Sequence, residues 1–351
     1  MSLDPLRVWA GPLPDVDISD RATRLGLNPI VRAHLDDRMG AQDLAVRYGS
    51  LLSHYEIAGS PDEAEVAIYP FVVASRVRTD FTRFLKDAEK LHRRILVFGG
   101  NDLEPIMPSE SVILLHPGPT RGAQPHADAL ALPYFFTDRA AGNWNREDVP
   151  RPSVAFCGQG AARPLARSGQ FLARGAHQLR RRTATQVVPP PISGHVTLRS
   201  TALERLRWHP GVDEHFVVRD QYRAGATTDF VRESTQREFD ENLRSATYAL
   251  CVRGTGNFSA RFYEALSFGR VPLFVDTRCV LPLEHLIDWR SRTVWVDAAD
   301  VESIGDRLVE AHPRVLADPL RSADSLRTLW ETRLTSNGFF QHLPALIRRM
   351  L

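Results

Sequence analysis

The chain has 351 residues, enough for two domains that each contain a hydrophobic core. Its residues are 43% hydrophobic and 25% charged, a globular composition that excludes a disordered or fibrous protein. The formal net charge is +2, well short of the basic excess that is typical of proteins that coat nucleic acids, so no nucleic-acid partner is predicted. Arginine carries nearly all the positive charge, since only Lys86 and Lys90 are lysines, and this fits either anion binding or a GC-rich genome.

The cysteines and the N-terminus indicate a cellular compartment. Cys157, Cys251 and Cys279 are isolated and odd in number, which argues against a disulfide framework or a zinc site. The first residues lack the basic and apolar regions of a secretory signal, and no stretch is apolar enough to span a membrane. We therefore expect a cytoplasmic protein, with peripheral contact at the inner membrane face left open.

Short apolar runs alternate with amphipathic segments, the pattern of an α/β protein with parallel sheets. The first part of the chain has candidate helices at Ala41–Glu56 and Val77–Arg93. Its candidate strands are Leu6–Ala10, Glu65–Pro70, Ile95–Phe98 and Ser111–Leu115. The polar segment Thr137–Pro152 then interrupts the alternation, and its prolines and charges favour an interdomain linker.

The alternation resumes after this linker. Strands are predicted at Ser153–Cys157, His215–Val218, Tyr248–Val252, Val271–Val275 and Thr293–Val296. Helices are predicted at Ala161–Arg182, Thr228–Ser245, Asn257–Phe268, Leu283–Trp289 and Phe340–Met350. The predicted fold is two Rossmann-like domains in tandem with a cleft between them. Their ranges are 1–145 and 153–335, followed by a C-terminal helix, 336–351, that could pack back on the first domain.

The most informative window is Tyr248–Trp289. A buried strand leads into a glycine-bearing loop, Arg253–Asn257, and then into a helix that Gly269 is placed to end. Glycines allow close backbone approach, and a helix N-terminus offers unpaired N–H groups to a phosphate. Arg253 and Arg261 could bind a diphosphate, and the Glu264 carboxylate could accept from ribose hydroxyls. The alternative is an ordinary tight turn with an Arg261–Glu264 surface ion pair.

The same loop also imitates part of a dinucleotide-binding fingerprint. Gly254 and Gly256 follow a strand, and Asp276 ends the next strand 22 residues after Gly254. Ser259 replaces the third glycine, and Arg253 places a cation where such loops are normally neutral. An NAD(P)-dependent oxidoreductase is therefore a rival hypothesis.

The window reads L-C-x-R-G…S-x-R-F-x-E-A-L-x-x-G-x-V-P-L…L-P…I-D-W and resembles the C-terminal signature of the exostosin family, glycosyltransferase family 47. Four upstream segments are similar to that family in the right order. They are Ser60–Val77, Leu96–Leu103, Ala127–Phe135 and Val154–Arg167.

The resemblance implies a GT-B fold, with the donor nucleotide in the second domain and the acceptor against the first. It implies inverting transfer from a nucleotide sugar to a glycan or glycolipid acceptor. Donor identity does not transfer with the resemblance, and a UDP-sugar is the donor that we favour. The implied reaction requires no cofactor and no metal. By position, the donor would be bound by Gly160, Arg163, Arg253, Gly254, Gly256, Ser259, Arg261 and Glu264, with Ser259 capping the phosphate-binding helix.

An inverting reaction needs a base for the acceptor hydroxyl. Asp102 follows a strand of the first domain at a position that should face the cleft, and His116 and His126 are alternatives. Asp15 and Asp17 resemble a metal-binding pair but lie between prolines, far from the nucleotide motif, and we interpret them as a solvated loop. The arginines at 180–182 are interpreted as a solvated helix end or a lipid contact. A non-catalytic relative that binds nucleotide sugar remains a third hypothesis.

Overall fold

The computed structural model describes residues 4–11, 26–35, 51–73, 79–100, 102, 104–140, 142–147, 149–160, 192–219 and 229–351. The predicted helix Ala161–Arg182, together with Arg163, Asp15, Asp17 and the arginines at 180–182, lies outside these residues. None of the described helices combines the length and the hydropathy that a membrane span requires.

Two parallel sheets form the framework, which confirms the predicted α/β class. The first sheet has the order β2-β1-β3-β4-β5-β6. Its strands are β1 Leu6–Trp9, β2 Tyr55–Ile57, β3 Val66–Val73, β4 Ile95–Gly99, β5 Val112–His116 and β6 Asp128–Ala131. The second sheet has the order β11-β10-β9-β7-β8. Its strands are β7 Ser153–Gln159, β8 Asp213–Arg219, β9 Tyr248–Cys251, β10 Val271–Asp276 and β11 Val294–Asp297.

Helices cover these sheets and bury their apolar strands. In β4, Leu96 and Phe98 face the core that continues into the second sheet, while Ile95 and Val97 pack in a separate cluster with the helix Thr79–Lys90. This alternation is expected of a strand whose two faces are both buried. The helices are α1 Pro29–Leu35, α2 Leu51–His54, α3 Thr79–Lys90, α4 Ile192–Arg207, α5 Asp229–Arg244, α6 Ala260–Ser267, α7 Ile304–Ala317, α8 Ala323–Leu329, α9 Ser336–Phe340 and α10 Leu343–Met350.

Some predicted elements were wrong. Tyr55 and Glu56 belong to strand β2 rather than to a helix, and strand β6 was not predicted. The segment Leu283–Trp289 forms turns followed by a short 3-10 helix, because Leu283 has a φ of 52°, which a right-handed helix does not accept. The predicted last helix is divided into α9, which ends at Phe340, and α10, which begins at Leu343.

The chain crosses between the sheets twice. The first crossing, residues 132–152, contains the predicted linker, but several of its polar side chains bind other parts of the chain. The Asp138 carboxylate binds Arg327, at 2.5 Å, and the Trp144 indole donates to Asp324 at 2.9 Å. The second crossing, residues 330–342, returns the chain to the first sheet, where Arg348 of α10 pairs with Glu65 at 2.7 Å.

The two crossings lie side by side. The rings of Phe136 and Trp330 are 5.4 Å apart, and those of Phe135 and Phe340 are 5.7 Å apart. Aromatic pairs at these distances contribute beyond their buried area. The crossings therefore form one packed unit between the sheets.

Candidate functional site

A cavity of about 720 Å³ opens at the carboxyl ends of β7 and β9. These two strands are neighbours although β8 lies between them in sequence, so the strand order reverses at this point. In open parallel sheets, ligands bind in the crevice at such a reversal. The wall is formed by Asp102, Tyr134, Phe156–Gln159, Arg199, Arg219, Arg232, Thr235, Gln236, Phe239, Val252, Gly254–Gly256, Phe258–Arg261 and Glu264.

The glycine loop and the start of α6 form the floor of the cavity. The Gly254 N–H donates to the Phe258 carbonyl at 2.9 Å, which closes the loop before the helix. Ser259 is the N-cap residue with extended backbone, as predicted, although its side chain makes no capping hydrogen bond. Gly269 ends the helix with a φ of 66°, the conformation that favours glycine there. The N-terminus of α6 therefore faces a space that could hold an anion.

Arg261 is fixed beneath the cavity and does not pair with Glu264. Its Nη2 donates to the Cys157 carbonyl of β7, and its guanidinium lies 4.4 Å from the centre of the Phe156 ring. Burial lowers the pKa of Arg261, with nearby Cys251 and Glu264 opposing this shift. The proposed surface ion pair between Arg261 and Glu264 is therefore wrong, and Arg261 presents a constrained positive charge to the cavity.

Glu264 is largely buried and has a different cationic partner. Its Oε1 accepts from Nη2 of Arg139 at 2.9 Å, and Arg139 also binds Oδ1 of Asp240 through Nε at 3.0 Å. Arg139 belongs to the first crossing, 125 residues from Glu264 in sequence. This pair could not be predicted from the sequence, because neither periodicity nor a motif joins the two positions.

Arg199 was also not predicted, and it joins the ends of two strands. Its Nη1 donates to the Gln159 carbonyl at 2.6 Å, and its Nη2 donates to the Arg253 carbonyl at 2.9 Å. Burial, together with the nearby charges of Arg261 and Arg253, lowers the pKa of Arg199 to about 10. Several buried arginines lie close together here, although burial disfavours their charged form. Such an arrangement is suited to binding an anion.

The structure brings six of the predicted residues to the cavity wall: Asp102, Gly254, Gly256, Ser259, Arg261 and Glu264. Arg253 is buried beside the wall rather than on it. Gly160 is packed against α4, where an added Cβ would lie 2.6 Å from Leu203 Cδ1 and would displace that side chain. Arg253 and Gly160 therefore lie next to the residues of the cavity wall and do not themselves line the cavity.

Asp102 reaches the cavity from the first sheet. It follows β4, its side chain is exposed, and its carbonyl oxygen would lie 3.0 Å from a Cβ added to Gly256. The other candidate bases are placed differently. His116 is buried and accepts from the Gly118 N–H through Nδ1 at 3.1 Å, while His126 is exposed, and neither lines the cavity.

Loops of the two sheets meet at one edge of the cavity. The Asn257 amide donates to the Thr120 hydroxyl at 3.0 Å, and Thr120 and Cys279 form an antiparallel bridge. An added Cβ at Gly118 would lie 2.7 Å from the Asn257 carbonyl carbon, so the approach requires glycine.

Asp276 does not take the position that a dinucleotide fingerprint requires. Its Oδ1 accepts from the Cys279 N–H at 3.0 Å, and its Oδ2 lies 3.6 Å from the Arg121 guanidinium. It is not part of the cavity wall. The oxidoreductase hypothesis needs an acidic side chain at the end of β10 to bind the ribose of the dinucleotide. Asp276, which ends β10, does not reach the cavity.

Comparison with known proteins finds relatives for the part of the chain that contributes β8–β11 and most of the cavity wall. Residues 194–311 match the Exostosin GT47 domain. Exostosin-1 of Drosophila melanogaster is 32% identical over 100 residues, which cover 28% of this chain and 13% of that protein. The probable beta-1,4-xylosyltransferase IRX10L of Arabidopsis thaliana is 33% identical over 76 residues, which cover 22% of this chain and 18% of that protein.

A third relative is the probable glucuronosyltransferase GUT1 of Oryza sativa subsp. japonica, 28% identical over 117 residues that cover 31% of this chain and 28% of that protein. The exostosin resemblance is thus confirmed for residues 194–311. Among solved structures, the spinosyn rhamnosyltransferase SpnG complexed with thymidine diphosphate covers 95% of this chain and 82% of its own, at 14% identity and a TM-score of 0.29. A likeness that distant supports no conclusion about this chain.

Proposed function

We propose that this protein is an inverting glycosyltransferase that moves a sugar from a nucleotide sugar to a glycan or glycolipid acceptor. The observation that carries the proposal is the cavity at the strand-order reversal of the second sheet, where the N-terminus of α6, Arg261 and Glu264 come together within the residues that match the exostosin domain. Helix dipole and arginine charges suit a leaving diphosphate, and a carboxylate suits the ribose hydroxyls. A UDP-sugar is the donor that we favour.

In this proposal the acceptor binds from the side of the first sheet. Asp102 takes the proton of the attacking hydroxyl, while the arginines neutralise the diphosphate without a metal. Tyr134, whose ring stacks on Phe136 at 6.0 Å, contributes a partly exposed aromatic wall on that side. We place the reaction in the cytoplasm, with a glycolipid acceptor requiring contact with the inner membrane face.

Nucleotide binding is the first test. We expect one nucleoside diphosphate from a panel of UDP, GDP, CMP, TDP, NAD and NADP to stabilise the protein by roughly 3 kcal/mol at a hundred times its dissociation constant. Glu264→Gln should lower the affinity for that nucleotide by about 10- to 100-fold, since hydrogen bonds to charged groups contribute about 1.5–3 kcal/mol. Thermal shift and titration calorimetry measure both effects.

Glu310→Gln is the matched control, because Glu310 forms an exposed pair with Arg314 on α7 and should leave binding unchanged. If only NAD or NADP stabilises the protein, the glycosyltransferase proposal is contradicted and the oxidoreductase hypothesis is supported. Nucleotide-sugar binding without any turnover would instead support the non-catalytic relative.

A methyl group on the glycine loop offers a sharper test of the phosphate position. In Gly254→Ala the new Cβ would have no neighbour closer than 4.0 Å, so the fold should keep its stability. The methyl would nevertheless obstruct close approach of a phosphate, and we expect about tenfold weaker UDP binding, or about 1.4 kcal/mol. Calorimetry with UDP and with uridine measures this, and only UDP should be affected.

Gly59→Ala is the control, since Gly59 follows β2 of the first sheet and its added Cβ would approach only Glu63 Oε2, at 3.8 Å. Equal loss of UDP and uridine affinity in Gly254→Ala would place the phosphates elsewhere.

A further inference from the structure

Arg139 connects the first crossing to the cavity wall through two carboxylates. Its Nη2 binds Glu264 Oε1 at 2.9 Å, and its Nε binds Asp240 Oδ1 at 3.0 Å. The Gln236 amide donates to the same Asp240 oxygen at 3.0 Å. Since Gln236 and Glu264 both line the cavity, one guanidinium connects two parts of its wall.

The surroundings of Arg139 hold its guanidinium in one place. It lies 5.4 Å from the centre of the Phe136 ring and 5.9 Å from that of Phe239, and its side chain is 21% exposed. Burial acts to lower the pKa of Arg139, but Glu264 and Asp240 outweigh it and raise the pKa overall. Arg139 therefore stays positively charged, and its position is fixed by the two aromatic rings and the two carboxylates around it.

We propose that Arg139 is a positioning residue that orients the Glu264 carboxylate toward the ribose hydroxyls, and so makes the site select ribonucleotides over 2′-deoxyribonucleotides. This proposal rests on the proposed function. Arg139 engages Oε1, which fixes the rotamer of a flexible side chain and leaves Oε2 as the second acceptor of the same carboxylate. A ribose offers two hydroxyl donors to such a carboxylate, whereas a 2′-deoxyribose offers one.

The test compares the affinities of UDP and 2′-deoxy-UDP by titration calorimetry, with GDP and 2′-deoxy-GDP if the guanine nucleotide is the one bound. We expect the wild type to prefer the ribonucleotide by about 10- to 100-fold, the contribution of one hydrogen bond to a charged group. In Arg139→Gln this ratio should fall to within about threefold of unity, because the carboxylate is no longer fixed. Arg139→Lys keeps the positive charge but cannot bind Asp240 and Glu264 at the same time through a planar guanidinium. It should therefore lose part of the preference for the ribonucleotide.

Arg146→Gln is the matched control from the same crossing. Arg146 donates to the Gly269 and Arg321 carbonyls at 3.2 and 2.9 Å, so its loss should lower stability without changing the ribose preference. If Arg139→Gln and Arg139→Lys both keep the wild-type ratio, or if Arg146→Gln loses it equally, the positioning role is overturned. A wild type that binds UDP and 2′-deoxy-UDP equally overturns it as well. No binding of any nucleotide by the wild type overturns the proposed function, and this proposal with it.

Discussion

Asp102→Asn is expected to reduce glycosyl transfer by about 10²- to 10⁴-fold while leaving nucleotide binding unchanged. The reduction is that of a lost general base, since the amide cannot accept the proton of the acceptor hydroxyl. Binding should persist because the donor contacts lie on the second sheet, while Asp102 approaches the glycine loop from the first. Release of nucleoside diphosphate from the matching nucleotide sugar, in the presence of a glycan acceptor panel, gives the rate.

Asp87→Asn is a suitable comparison, because Asp87 forms an exposed pair with Lys90 on α3 and should retain full activity. Full turnover by Asp102→Asn would refute the assignment of the base. A loss confined to His126→Asn would transfer the role to His126.

The largest loss of stability is expected from Arg327→Met. Arg327 is 5% exposed and binds both oxygens of Asp138, at 2.9 and 2.5 Å, the Ser267 carbonyl at 2.8 Å and Glu331 at 2.7 Å. Removal of one partner from a buried ion pair typically costs about 3–5 kcal/mol, and partial exposure of Asp138 reduces this to about 2–3 kcal/mol. Urea denaturation at pH 7 measures the change.

The same pair gives the stability a defined pH dependence. The hydrogen bond from Arg327 lowers the pKa of Asp138 in the folded protein, with burial opposing it. A carboxyl whose folded pKa is depressed contributes its stability above the unfolded pKa and loses it as the pH falls through the folded value. The difference between wild type and Arg327→Met should therefore shrink when the pH is lowered from 7 to below 4.

Arg314→Met removes an exposed arginine that pairs with the exposed Glu310 on α7, and we expect a change within about 0.5 kcal/mol. A cost for Arg327→Met no larger than this would show that the first crossing is not held by its ion pair.

The sequence predicted those parts of the fold that depend on local pattern. The nine strands expected from apolar runs are all present, and most of them are continuously apolar because both of their faces are buried. Strand β2 was missed because it has only three residues, and β6 because its residues DALA carry no strong strand signal. The φ of Leu283 likewise has no signature in the residue types.

The site divides in the same way. Gly254, Gly256, Ser259, Arg261 and Glu264 lie within twelve residues, so strand, loop and helix geometry brings them together. Arg139 and Arg199 reach the same wall from segments far away in sequence, and packing alone determines where their guanidinium groups lie. Asp102 could be placed because the carboxyl ends of parallel strands face one crevice.

Two separate contacts hold the two sheets against each other. The crossings pack through the rings of Phe136 and Trp330. Elsewhere, next to the bridge between Thr120 and Cys279, backbone hydrogen bonds join Arg121 to Arg278 at 2.7 Å and Val280 to Pro119 at 2.9 Å. A rotation that opened the sheets at this second contact, as in hinged proteins, would have to break these hydrogen bonds.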